Sequence, residues 1–173
     1  MTQEGALLVV IAVALGLLGL LAWGWHRRTR RDSGLVPPVG EVPAGAAVIG
    51  VFPVLYVATT AHDQPLERLA VRGLGFRSRA DVTVTDAGVA LDLTGQPRLF
   101  IPRAQILAAS QATVAIDRVV ERDGLARLDW HLTTPDGTTV VDSYFRPQQT
   151  SARALVDALR QLSDPAPTTG GDA

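Results

Sequence analysis

The chain has 173 residues, a formal net charge of −1 and sixteen basic residues, every one an arginine. Having no cysteine, it can form no disulfide, thiolate nucleophile or thiolate metal site, and having no lysine it lacks a Schiff-base amine and the usual Walker A lysine. Twelve arginines against fourteen acids between Glu41 and Asp164 leave that stretch slightly acidic, unlike the basic excess of a nucleic-acid binder.

From Ala6 to Trp25 the sequence reads ALLVVIAVALGLLGLLAWGW, twenty residues without a charge. As a helix they rise about 30 Å, the thickness of a bilayer's hydrocarbon core, so this stretch is expected to span a membrane. Trp23 and Trp25 stand at its end, where indoles suit the headgroup layer, and Arg27, Arg28, Arg30 and Arg31 follow as interface anchors. The leader carries Glu4 and no basic residue, so the positive-inside rule puts the N-terminus outside and the remainder in the cytoplasm of a single-pass cell-membrane protein. A cleaved signal peptide would need a basic leader, a shorter apolar run and a small-residue cleavage site, where this chain has arginines.

Residues 1–31 are thus read as anchor and basic flank, and 32–47, DSGLVPPVGEVPAGAA, as a Pro/Gly-rich linker with little to bury. The segment from 48 to 164 is read as one domain, and 165–173 as a disordered tail. Phe52 to Thr59 predicts a strand, buried or bent near its start. Leu66, Leu69 and Ala70 share a helical face and predict a short helical piece that Gly73 and Gly75 end. Val82 and Val84, the turn residues Asp86-Ala87-Gly88, then Val89, Leu91 and Leu93 predict an antiparallel hairpin.

Arg98 to Ile101 predicts a short strand, and the RAQILAAS stretch after Pro102 is open between helical and irregular. Ala112 to Val120 predicts another strand, followed by a charged turn at Glu121-Arg122-Asp123-Gly124. A second hairpin is expected around Pro135-Asp136-Gly137. In the final helix Ala152, Leu155, Val156, Leu159 and Leu162 lie on one face, with Thr150 or Ser151 as N-cap and Pro165 and Pro167 as stop. One amphipathic helix after about seven strands is expected to cover a sheet or close one end of a barrel. An immunoglobulin-like sandwich is the alternative, disfavoured by that helix.

His26 belongs to the headgroup flank, His62 to a solvated turn beside Asp63, and His131 to the strand face opposite Trp130. No cluster of histidines supports a metal, no G-x-S-x-G elbow accompanies the serines, and RGLG is not a dinucleotide loop. Asp81, Asp86, Asp92, Asp129 and Asp142 are read as outward or turn positions of hairpins. The most suggestive polar stretch contains Arg68, Arg72, Arg77 and Arg79 with Phe76 among them. It reads as a charged loop balanced by Glu67 and Asp81, or as a surface for an acidic partner or phosphate, since the guanidinium fork matches both.

The segments LYVATT (55–60), LERLAVRGLGFRSRADVTVTDAGVAL (66–91), LFIPRAQI (99–106) and FRP (145–147) before the last helix together carry a resemblance. The chain resembles a family of small actinobacterial membrane proteins with one N-terminal span and a cytoplasmic pleckstrin-homology-like (PH-like) domain. That resemblance implies a mainly-β fold, a seven-stranded, partly open barrel capped by a C-terminal helix. It carries no catalytic, ligand or metal residue across. PH phosphoinositide sites use Lys and Arg in the first hairpin, whereas residues 52–63 have neither. The expectation is a non-catalytic, membrane-tethered interaction module without cofactor, small-molecule substrate or nucleic acid, held by the lipid bilayer and docking a protein partner. A structural or assembly subunit of a membrane complex, an anionic-lipid-binding domain and an enzyme of unknown class are the alternatives.

Overall fold

The computed structural model describes residues 3–31, 34–115, 118–119 and 124–163. The chain divides into two units, Met1–Gly34 and Leu35–Ala173. The first is one helix, α1 (Gln3–Arg31), whose segment Leu7–Arg27 has a mean hydropathy of 2.6 and is long and apolar enough to cross a membrane. Leucine and valine side chains are exposed all round it. Near its end the Arg27 guanidinium lies 5.7 Å from the Trp23 ring centroid, a cation–π contact.

Among the described residues the second unit has nine strands: β1 (Val48–Ala61), β2 (Ser78–Thr85), β3 (Gly88–Leu93), β4 (Leu99–Pro102), β5 (Ile106–Ala112), β6 (Val114–Ala115), β7 (Arg118–Val119), β8 (Leu125–Thr134) and β9 (Gly137–Pro147), followed by helix α2 (Ala152–Ser163). Seven of them form an antiparallel sheet ordered β4-β3-β2-β1-β9-β8-β5, and β6 pairs with β7. The sheet has to curl. Seven strands laid flat would put the outer two about 29 Å apart at 4.8 Å per step, yet only Arg103–Gln105, one 3₁₀ turn, separates the end of β4 from the start of β5. Four residue steps reach at most about 14 Å, so the edges approach one another around an open barrel.

Both predicted hairpins are present. The β2–β3 turn requires glycine at Gly88, where φ is +152° and an added Cβ would lie 2.2 Å from the Ile101 carbonyl oxygen. Helix α2 packs on β5 and β8, burying Ala152, Leu155, Val156, Ala158, Leu159 and Leu162. Each large apolar side chain among them contributes about 1.5–3 kcal/mol by leaving water. Ser151 is the cap, its Oγ accepting the Ala154 N–H at 3.2 Å, and Arg160 ties the helix to the sheet by donating to the Ala109 carbonyl at 3.1 Å. The inner face collects Tyr56, Leu74, Leu91, Ile101, Leu128, Trp130 and Phe145 into one core. A single curled sheet under one helix leaves no place for the sandwich alternative.

Four readings need correction. The helical piece at 66–70 is absent, because its backbone groups bond to β1 instead: Leu69 N–H to the Thr59 carbonyl and Ala61 N–H to the Glu67 carbonyl, with a bridge between Thr60 and Arg68. RAQILAAS is the 3₁₀ turn and most of β5, so a strand replaces the helical or irregular segment. Asp142 is fully buried and Asp129 nearly so, on the outer face but not on a solvent face, because a polar turn packs over them. The linker at 32–47 is a bonded part of the second unit from Leu35 onward. Val36 bridges to Thr133, Val39 to Leu99, Ala47 N–H donates to Asp86, and Leu35 packs against the core. Readings at Ile116, Asp117, Val120, Glu121-Arg122-Asp123 and 165–173 lie outside the described residues.

Candidate functional site

The tight turn between β8 and β9 sets their register, Thr134 opposite Gly137, and therefore puts Asp129 directly opposite Asp142. Directly opposed residues share a sheet face with their Cβ atoms about 5 Å apart, so two carboxylates repel unless a cation intervenes. Arg127 is that cation. Two positions before Asp129 on the same face, its Nε donates to Asp129 at 2.6 Å and its Nη2 to Asp63 at 2.8 Å, with Asp142 at 3.1 Å. Across the site, the turn after β1 brings His62 Nδ1 to 2.7 Å from Asp142 Oδ1, while the Asp63 backbone N–H donates to Asp142 Oδ2 at 2.9 Å. Asp63 takes a left-handed φ of 56°, which its short polar side chain tolerates.

The charges settle one another. The hydrogen bond to Asp142 raises the His62 pKa above its usual 6.5, against a smaller opposing effect of desolvation. Since a carboxylate only accepts, His62 Nδ1 carries the proton, and its 3.4 Å approach to Arg127 is not a hydrogen bond. Burial raises Asp129, partly offset by its bond to Arg127. Asp63 is lowered chiefly by the Arg127 hydrogen bond. Burial works against the charge of Arg127, but bonds to Asp63 and Asp129 and the fields of Asp129 and Asp142 outweigh it.

His62, Asp63 and Asp142 bring potential metal-ligating atoms within 4.8 Å of one another. The Arg127 guanidinium already bonds Asp63 and faces Asp142, so a metal ion would have to displace it. The His62–Asp142 pair has the shape of a base and its orienting carboxylate, but no nucleophile is hydrogen-bonded to His62 among the described contacts. What the arrangement does is clamp the start of the β1–β2 connection to β8 and β9.

On the inner face of the same strands lies a line of neutral groups. Trp130 Nε1 is 2.9 Å from Ser143 Oγ, Ser143 Oγ 2.8 Å from Thr59 Oγ1, Thr59 Oγ1 2.8 Å from Tyr56 OH, and Tyr56 OH 2.8 Å from the Leu74 carbonyl. An indole N–H can only donate and a carbonyl can only accept, so every hydroxyl in between donates toward Leu74. Desolvation raises the Tyr56 pKa, keeping that phenol protonated as the line requires.

The same loop carries the sequence-predicted surface. Arg68 is turned inward, its guanidinium donating to the carbonyls of Val57 at 2.6 Å and Gly75 at 3.1 Å. Arg72, Phe76 and Arg77 in the loop and Arg79 at the start of β2 are exposed, Phe76 by 79%, and Leu66, ten residues before it, is exposed by 73%. The loop is thus tied at both ends, by the His62 clamp and by Arg68 and Tyr56, with its apolar and cationic tips outward. In the first unit Trp23, Trp25, Arg27 and Arg30 are exposed, and Arg28 and Arg31 continue the helix.

Sequence reasoning passed over the Arg127 clamp. The signal that finds it is the Pro135-Asp136-Gly137 turn, whose two-residue register places Asp129 opposite Asp142 and so calls for a cation. Nothing among curated proteins matches the chain. The sequence profile described as Bacterial PH domain-like matches residues 33–160, including the segment that bonds Thr133 and Leu99 and most of α2. With that match over most of its length, and a curled seven-stranded sheet closed by one helix, the chain belongs to the bacterial PH domain-like family.

Proposed function

We propose that the protein is a non-catalytic interaction module tethered to the cell membrane by α1, with its N-terminus outside and its PH-like domain at the inner face, docking a protein partner through Arg72, Phe76, Arg77 and Arg79. The observation that carries this reading is the tied-down loop presenting an exposed phenylalanine among exposed arginines, while Arg68 of the same stretch is used inside. A large exposed ring flanked by guanidinium groups suits an acidic segment with an apolar anchor. PH-like domains are generally not enzymes, and the polar cluster nearest to a catalytic arrangement is spent on its own ion pairs. The resemblance to actinobacterial single-span proteins supports the tether, and the absence of basic residues from 52–63 disfavours a phosphoinositide mode.

Anionic lipid is a second reading, favoured by Phe76 and Leu66 standing out beside arginines. Two measurements separate them. Changing Arg77 and Arg79 together to Glu is expected to abolish in-membrane crosslinks to the partner, while the soluble domain shows little binding to anionic liposomes at about 0.15 M salt, where the screening length is about 8 Å. Liposome binding lost on the same changes would favour lipid, and unchanged crosslinks would remove this face. For the orientation, protease added to intact spheroplasts should spare a C-terminal tag.

A further inference from the structure

The β1–β2 connection is fastened by two kinds of pin. From Arg68 onward the pins keep their charge state near neutral pH: the Arg68 guanidinium on the carbonyls of Val57 and Gly75, the Tyr56 phenol on the Leu74 carbonyl, and the buried side chains of Leu69, Val71 and Leu74. Before Arg68, the described bonds that hold the turn at 62–66 to β8 and β9 all run through charged groups. His62 Nδ1 and the Asp63 N–H both meet the Asp142 carboxylate, and Arg127 donates to Asp63. The remaining backbone bonds of this turn are local, Gln64 N–H to the Ala61 carbonyl, Glu67 N–H to the Gln64 carbonyl and Ala61 N–H to the Glu67 carbonyl.

Facing His62 are Asp63 on its own turn, with a carboxylate oxygen 3.4 Å from Nε2, Asp142 on β9, and Asp129 and Arg127 on β8. Tyr144 on β9 stays a neutral phenol, its pKa raised by burial. With His62 protonated, two cations meet three carboxylates; without that proton Arg127 alone serves all three, of which Asp129 and Asp142 are directly opposed and buried. Arg127, Asp129 and Asp142 stand on paired strands and cannot separate. Asp63 is on a turn, its side chain 70% exposed and its φ in the left-handed region at 56°. The turn is therefore the part that yields.

We propose that the His62 turn is a proton-controlled latch: with the imidazolium in place residues 62–66 are held against β8 and β9, and with the imidazole neutral they swing out while the connection from Arg68 onward stays pinned. The hydrogen bond to Asp142 raises the His62 pKa above 6.5, so the latch is shut at and below that pH and opens as pH rises through the raised value. Leu66, exposed at the tip of the turn, is the apolar side chain that moves with it. The exposed surface of the connection thus has a fixed part, Phe76 and its arginines, and a part that a proton sets in place. As regulation of docking this rests on the role proposed above for the arginine loop, and it predicts weaker docking at higher pH; the latch itself does not rest on that role.

Because the chain has no cysteine, a nitroxide can be attached at one site, through Leu66→Cys or, separately, Phe76→Cys, both at exposed positions. Electron paramagnetic resonance of the full chain in detergent micelles is followed from pH 5.5 to 8.5. The label at 66 is expected to move severalfold faster at the upper end, in one transition centred above pH 6.5, and the label at 76 to keep one spectrum. His62→Gln should abolish the transition at 66. A spectrum at 66 that ignores pH, a transition that survives His62→Gln, or equal loosening at both sites would overturn the latch. In native membranes, the crosslinks lost on changing Arg77 and Arg79 together to Glu should weaken severalfold between pH 6 and 8.5, and should not do so in His62→Gln. If those crosslinks ignore pH while the label at 66 responds, control of docking is overturned and the docking role stands; if the arginine changes leave all crosslinks intact, the docking role falls, and control of docking with it.

Discussion

The two faces of β8 and β9 deal with buried polar groups in opposite ways. Outside, two opposed aspartates are held by an arginine and a histidine, so every bond is charge-assisted but each charge depends on the others. Inside, Trp130, Ser143, Thr59 and Tyr56 form a neutral line that ends on the Leu74 carbonyl and needs no counter-charge. Both anchor the β1–β2 connection, the outer one through His62 and Asp63 and the inner one through Leu74. The outer device should therefore be the costlier to cut and the sensitive one to pH, whereas the inner one should be pH-indifferent.

The sharpest test is Asp142→Ala, which takes the acceptor from the His62 Nδ1–H and the Asp63 N–H and leaves Arg127 with Asp129 and Asp63 alone. Urea unfolding of the solubilised chain should show a loss of about 3–5 kcal/mol, typical of breaking a buried ion pair from one side. Ser143→Ala removes the middle of the inner line and leaves the Trp130 N–H without its acceptor, for about 1–3 kcal/mol. Were the serine variant the weaker of the two, the ranking of the faces would be reversed. The third effect is the smallest. His62 has a raised pKa in the folded chain, so its contribution is complete below the unfolded value near 6.5 and is lost as pH rises through the folded value. Stability measured from pH 6 to 8 should fall for the native chain by an amount that His62→Gln flattens and Ser143→Ala leaves in place.

Much of the sheet was legible because its signals are local. Val82, Val84, Val89 and Leu91 alternate around a turn that only glycine completes, and α2 shows its buried face by spacing alone. The course of residues 35–40 was not legible for the opposite reason. Pro37, Pro38 and Gly40 say that the chain is extended there, but not where Val36 and Gly40 send their N–H groups. Leu66, Leu69 and Ala70 keep a helical spacing that β1 overrides by taking the Leu69 N–H and the Glu67 carbonyl. The outer cluster needed one further step, from turn to register. His62, arriving from a turn 80 residues away in sequence, is beyond any such local argument.

The central pair of the sheet joins the start of the domain to its end, Thr59 and Ser143 standing 84 positions apart in sequence. During synthesis α1 emerges before β1 with its run of Val54, Tyr56, Val57 and Ala58, and β9 follows only after the rest of the sheet has been made. The domain therefore cannot close progressively. Its folding is governed by contacts of high sequence separation, which are slow to form and leave apolar strands exposed while they wait. A chain cut between Leu93 and Val141 would have its first hairpin but no partner for the second half of β1, and would be a substrate for proteolysis rather than a shortened version of the same protein.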